Sequence, residues 1–153
     1  ALNLVFATVE LAVFYVLLRP PVFLQENPLM LLFTSIALTV GVIIYFYMSV
    51  LLGFIGFWSA DVWAPRFLSF VLIEFLAGGL FPLDILPQPM SLVIQNLPFS
   101  YLLYFPLKVY LGQISTFSIV QGLLMGTFWA WIFWYAAQLV WRKGLKVYAA
   151  EGR

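Results

Sequence analysis

There is no histidine and no cysteine among the 153 residues, and only 8% of them are charged. Each absence removes chemistry. Without cysteine there are no disulfides, thiolate metal sites or cysteine nucleophiles. Without histidine the usual general base, proton shuttle and zinc ligand are gone, which sets aside serine–histidine and metal-dependent intramembrane hydrolases. Lys108 is the only lysine away from the C-terminal end, so serine–lysine chemistry has a single candidate. No Gly-Lys-Ser/Thr phosphate loop occurs, and Gly78-Gly79 lies in an apolar stretch, so nucleotide binding by that route is excluded. A net charge of +1 offers nothing to a nucleic-acid partner. No repeat of 20–50 residues marks a solenoid.

What is present is apolar: 65% hydrophobic residues, of which many are aromatic. A soluble domain carries roughly 25% charged residues, so this chain lacks the polar surface to coat a water-soluble globule. Its natural solvent is lipid. The expected fold is an all-α membrane protein, one transmembrane domain over 1–153, placed in the cell membrane. The chain opens at Ala1 and is apolar at once, with neither the basic flank nor the cleavage pattern of a signal peptide. We read the start as a cut through a longer protein.

A helix needs about 20 apolar residues to cross the hydrocarbon core. Leu2–Leu18 is the first candidate span, closed by Arg19-Pro20-Pro21, where the prolines cannot continue the ladder. Pro28 suits the first turn of a second helix, Leu29–Phe57, which carries no charge. A polar break from Trp58 to Arg66 precedes a third span, Phe67–Phe81, which must start before Pro65 if it is to reach across. The last span is Phe117–Trp141, followed by Arg142-Lys143-Gly144-Leu145-Lys146 and a tail to Arg153.

The stretch between Pro82 and Gly112 is apolar but cut by Pro82, Pro87, Pro89, Pro98 and Pro106. Met90–Leu97 would make about 12 Å of helix, too short to span. Two readings fit: a re-entrant hairpin of two short helices, or a proline-kinked fifth span over 92–111. Irregular backbone survives at membrane depth only under protein cover or beside a water-filled cavity. Basic residues put the C-terminus in the cytoplasm. Both readings leave five basic residues inside and two outside, so charge does not choose between them. The prolines favour the hairpin.

Several residues could carry function. Glu74 sits mid-span, where an ionised carboxylate is costly and usually faces a cavity or a partner. It is either part of a transport path or coupling device, or a neutral hydrogen-bonded packing group. Glu10 poses the same choice in the first span. Ser118, Gly122, Gly126 and Ala130 recur every four residues, a spacing that lets a helix approach closely, within the chain or across a dimer. Asp61 and Arg66 stand in a short loop, either an ordinary solvated turn or a contact for a cytoplasmic partner. Trp129, Trp131 and Trp134 read as packing or lipid-facing surface.

From Gly78 onward the text resembles the permease subunits of type-2 ATP-binding-cassette (ABC) exporters. The resembling stretches are Ala77-Gly78-Gly79-Leu80-Phe81-Pro82-Leu83-Asp84-Ile85-Leu86-Pro87, then Leu97-Pro98-Phe99, Tyr104-Phe105-Pro106 and Tyr110-Leu111-Gly112. The ending Trp141-Arg142-Lys143-Gly144, with Tyr148 and Gly152, is similar as well; residues 1–60 match only as apolar spans. The resemblance implies four spans here out of about six, with an extracellular re-entrant hairpin built around Gly78, Pro82, Pro87, Pro98 and Pro106. It implies that 58–66 is a small cytoplasmic loop and that a second permease half pairs with this one. Separate ATPase subunits would bind ATP and Mg, leaving this chain without a cofactor and without catalysis. The alternatives are a membrane scaffold subunit with no transported substrate and, more remotely, an intramembrane enzyme using carboxylates.

Overall fold

The computed structural model describes residues 2–19, 23–59 and 61–150; for residues 2–4, 11 and 147–150 it describes the backbone alone. Pro20, Pro21, Gly152 and Arg153 lie outside the described residues. All regular structure among the described residues is helical: α1 Leu2–Leu18, α2 Pro28–Phe54, α3 Trp63–Leu76, α4 Gln88–Asn96, α5 Tyr104–Tyr110 and α6 Thr116–Ala150. Short 3-10 turns lie at Ile55–Phe57, Leu83–Ile85 and Pro98–Tyr101.

Among the described residues two helices are long and apolar enough to cross a bilayer: α2 continued through its 3-10 turn to Phe57, and α6 as far as Lys146. α2 starts where the sequence says it should. Asn27 Oδ1 accepts from the Leu29 N–H at 2.9 Å, and Pro28 occupies the first turn, where its missing N–H costs nothing. The third element is shorter than expected. α3 has 14 residues and stops at Leu76, not Phe81, because Gly78 takes φ +83 and turns the chain out of the helix. It does begin before Pro65, at Trp63. The last helix runs on beyond the expected span: Arg142-Lys143-Gly144-Leu145-Lys146 continues α6. A lone glycine costs a helix about 1 kcal/mol, and here Gly144 is covered by the Phe57 ring.

The core lies between α2 and α6. On α2 the buried residues are Thr34, Ala37, Gly41, Ile44 and Met48, alternating three and four apart. That is the seam of a heptad. On α6 the buried residues Ile119, Gly126, Ala130, Ala137 and Gly144 fall on the matching seam positions. The small α6 residues let α2 approach closely. Val40 meets Gly126, Phe54 packs against Trp141 at a tilt and Phe57 lies on Gly144, so contacts advance along both helices together. α2 and α6 are therefore parallel. α1 stands largely clear of this seam, with every described side chain from Val5 to Arg19 exposed.

Candidate functional site

The proline-cut stretch forms a hairpin and not a continuous rod. Pro87 precedes α4 with an extended backbone (φ −52, ψ 141), and the 3-10 turn Pro98–Tyr101 ends it. α5 then leads away, with Pro106 buried inside it. A continuous helix over 92–111 is not formed. Its two limbs return to the same level: Asp84, before α4, reaches Tyr104 and Lys108 on α5.

The tip of the hairpin is wedged into the α2–α6 seam. Tyr101 belongs to the buried cluster with Ile44, Met48 and Ala130, and Phe99 and Phe105 pack against it. Three glycines make the room. A Cβ on Gly41 would lie 2.7 Å from the Tyr101 carbonyl oxygen. A Cβ on Gly126 would lie 3.1 Å from the Tyr101 ring, and one on Gly122 would clash with the Phe105 ring. Gly122, Gly126 and Ala130 thus face this chain's own hairpin and α2. Ser118 departs from that set: it is exposed and its hydroxyl shares a hydrogen bond with Ser115.

Polar links fasten the hairpin elsewhere. The Trp129 indole N–H donates to the Asn96 carbonyl at 3.0 Å, satisfying the end of α4. The buried Ser100 hydroxyl donates to the Gln95 carbonyl at 2.7 Å. At the far end of α5, the Gln25 amide donates to the Tyr110 carbonyl at 2.6 Å. The Tyr104 N–H donates to the Ala77 carbonyl, joining the hairpin to the end of α3.

The base of the hairpin carries a charged latch that the sequence reading did not assemble. Asp84 Oδ1 accepts from the Tyr104 hydroxyl at 2.6 Å, and Asp84 Oδ2 pairs with Lys108 Nζ at 2.8 Å. The Lys108 ammonium also lies 5.5 Å from the centre of the Tyr104 ring. The hydrogen bonds from Lys108 and Tyr104 hold the Asp84 carboxyl below its ordinary value. Burial, then the neighbouring carboxylate, pushes the Tyr104 phenol well above its own. Sequence separation hid this cluster: nothing local couples position 84 to 104 and 108.

The second feature is a groove between α2 and α3 of about 590 Å³. From α3 it is lined by Arg66, Ser69, Phe70, Ile73 and Glu74, and from α2 by Tyr45, Met48, Ser49 and Leu52. The helical spacing of Arg66, Ser69, Ile73 and Glu74 puts them on one face, a signal readable from sequence but not read. Glu74 also lines an adjoining pocket with Gly41, Tyr45, Ala77 and Leu102. Arg66 is therefore a helical residue of α3 and not part of the loop assigned to it. Asp61 does lie in the loop, where its carboxylate accepts from the Trp63 N–H at 2.9 Å. Glu10 is exposed on α1, away from the groove.

These features define an all-helical, lipid-suited bundle in which a proline-broken hairpin is clamped between two parallel long helices. The chain belongs to the family described as ABC-2 family transporter protein, which matches residues 4–152. This bears out the resemblance drawn from residues 77–112. No curated protein and no solved structure matched the chain.

Proposed function

We propose that this chain is the membrane-spanning permease part of an ABC exporter, forming a substrate path that separate ATPase subunits drive. The observation that carries this reading is the parallel course of α2 and α6 with the hairpin held between them. If 92–111 crossed the membrane, α6 would run opposite to α2. A returning hairpin leaves α1, α2, α3 and α6 as four crossings, with α3 completed by the irregular 77–82 segment. Gly41 lies about 20 Å along α2 from Pro28 at the standard helical rise, so the hairpin tip reaches deep into a core about 30 Å thick.

Charge supports the orientation. The Phe57–Gly144 contact gathers the α2–α3 loop, Arg66 and the basic end of α6 at one end of the bundle. Arg142, Lys143 and Lys146 there favour the cytoplasmic side. The latch and Gln25 lie at the other end, which becomes extracellular. Asp61 and its loop then face the ATPase subunits. A second permease half completes the path, and ATP with Mg stays on the ATPases. Their closure would shift a bundle with two arrangements and alternate access, the hairpin gating the outer mouth. A scaffold subunit would have no use for a groove with polar groups facing the membrane interior.

Two measurements test this. The intact chain, purified gently from its native membrane, should bring down an ATP-binding-cassette ATPase whose hydrolysis drives transport in vesicles. Because the sequence has no cysteine, Ile85→Cys supplies a single thiol. It should react with an impermeant reagent on intact cells. Labelling only after lysis, or purification without any such ATPase, refutes the proposal.

A further inference from the structure

We infer that the α2–α3 groove binds the head of an amphiphilic cation, with the Glu74 carboxylate as its counter-charge; this deepens the permease reading and rests on it. Among the described residues Glu74 has no ion-pair partner. Lys108 is taken by Asp84. Arg66 lines the same groove but sits two turns away, about 12 Å along α3 at the standard rise, and makes no ion pair with it. The other described basic residues are Arg19, just past the end of α1, and Arg142, Lys143 and Lys146 near the end of α6. A half-buried carboxylate in an apolar span is costly unless something supplies the missing charge.

The surroundings suit a cation with apolar bulk. On one side Glu74 is closed off by the turn after α3: Gly79 packs so near that an added Cβ would sit 2.6 Å from the Glu74 Oε2 atom. On its other sides Glu74 faces both pockets. Tyr45 lines both as well, so the pockets that hold Glu74 also hold an aromatic residue, from which a desolvated cation gains further. Met48, Leu52, Phe70 and Ile73 give the remaining wall an apolar lining, and the volume is that of a drug-sized ligand site. Arg66 at the inner end repels a cation and so directs it toward Glu74.

The test uses the intact chain in lipid nanodiscs, with binding corrected for empty nanodiscs. The probes are tetraphenylphosphonium and its uncharged relative triphenylphosphine oxide. Tetraphenylphosphonium should bind saturably, Glu74→Gln should weaken it at least tenfold, and Glu74→Asp should retain part of the affinity. Glu26→Gln, which removes an exposed carboxylate elsewhere, should change nothing, and triphenylphosphine oxide should bind the wild type and Glu74→Gln alike. Equal loss of both probes would assign Glu74 to packing and overturn the inference. So would unchanged tetraphenylphosphonium binding in Glu74→Gln, or no saturable binding at all, the result expected if another helix fills the groove. None of these readouts needs the ATPase, so the inference can fail while the permease reading stands, and the reverse.

Discussion

Breaking the Asp84 latch tests whether the two limbs of the hairpin are held together at their base. Asp84 uses both oxygens: one on the Tyr104 hydroxyl at 2.6 Å, the other on Lys108 at 2.8 Å. The Asp84 side chain is 50% exposed and that of Lys108 21%, so the ion pair is screened and is worth about 0.5–1 kcal/mol. A hydrogen bond to a charged acceptor contributes about 1.5 kcal/mol at the low end of its range, appropriate to a half-exposed site. Asp84→Ala should therefore cost about 2 kcal/mol, and Lys108→Met about 1 kcal/mol. Asp84→Asn keeps an acceptor for Tyr104 and should fall between them. The assay is reversible unfolding in mixed micelles followed by tryptophan fluorescence, with the double variant Asp84→Asn/Lys108→Met closing the cycle. A coupling of about 0.5–1 kcal/mol is expected. The native carboxyl titrates below its free value of 3.8, so the latch's contribution is whole above that pH and lost as pH falls through the lower native value. Between pH 5 and 8 Asp84 should add no pH dependence. Strictly additive single variants, or a wild-type loss above pH 5 that vanishes in Asp84→Asn, would refute the latch.

The glycines around the hairpin tip should rank by what they touch. Gly41→Ala meets a backbone carbonyl that cannot swing aside and should cost about 2–3 kcal/mol. Gly122→Ala meets the edge of the Phe105 ring, which can turn, and should cost about 1 kcal/mol; the opposite ranking in thermal unfolding would mean that the tip is not seated on α2 as described. Ser100→Ala removes the fully buried hydroxyl that caps the Gln95 carbonyl and should lower stability by about 1–2 kcal/mol, measured in the same unfolding assay.

Local chemistry made much of the fold legible. Prolines 87 and 98 bracket α4, Asn27-Pro28 opens α2, and the apolar runs of α2 and α6 show in composition alone. The errors fell where a tertiary contact overrode local pattern. The expected third span ran on to Phe81 because nothing apolar stops it; the break lies in the φ +83 turn at Gly78, a conformation invisible in hydropathy. α6 runs past the expected span, with Gly144 held in the helix under the Phe57 ring. The packing stripe was visible as spacing, but its occupant was not. A four-residue period cannot say whether a partner helix or a hairpin tip fills the notch. Gly41 completes the notch from another helix and escaped notice. The polar face of α3 was readable by helical period, whereas the latch joins residues with no local relation.

The contacts also divide the bundle mechanically. α2, α6 and the hairpin share one buried seam, closed by glycines and by carbonyls that have partners, so displacing any one of the three opens the core. α3 is joined more lightly: its described residues include none that are fully buried, and the polar groove separates part of it from α2. Its upper end is nevertheless tied to the hairpin through the Tyr104 N–H and the Ala77 carbonyl. On the proposed reading, a push at the Asp61 loop reaches Trp63 first and travels along α3 past Arg66 and Glu74 to that tie. The groove would then change width while the α2–α6 seam stays shut. On that reading the stiff pair would supply a fixed wall, and the short helix that ends at Gly78 the movable one.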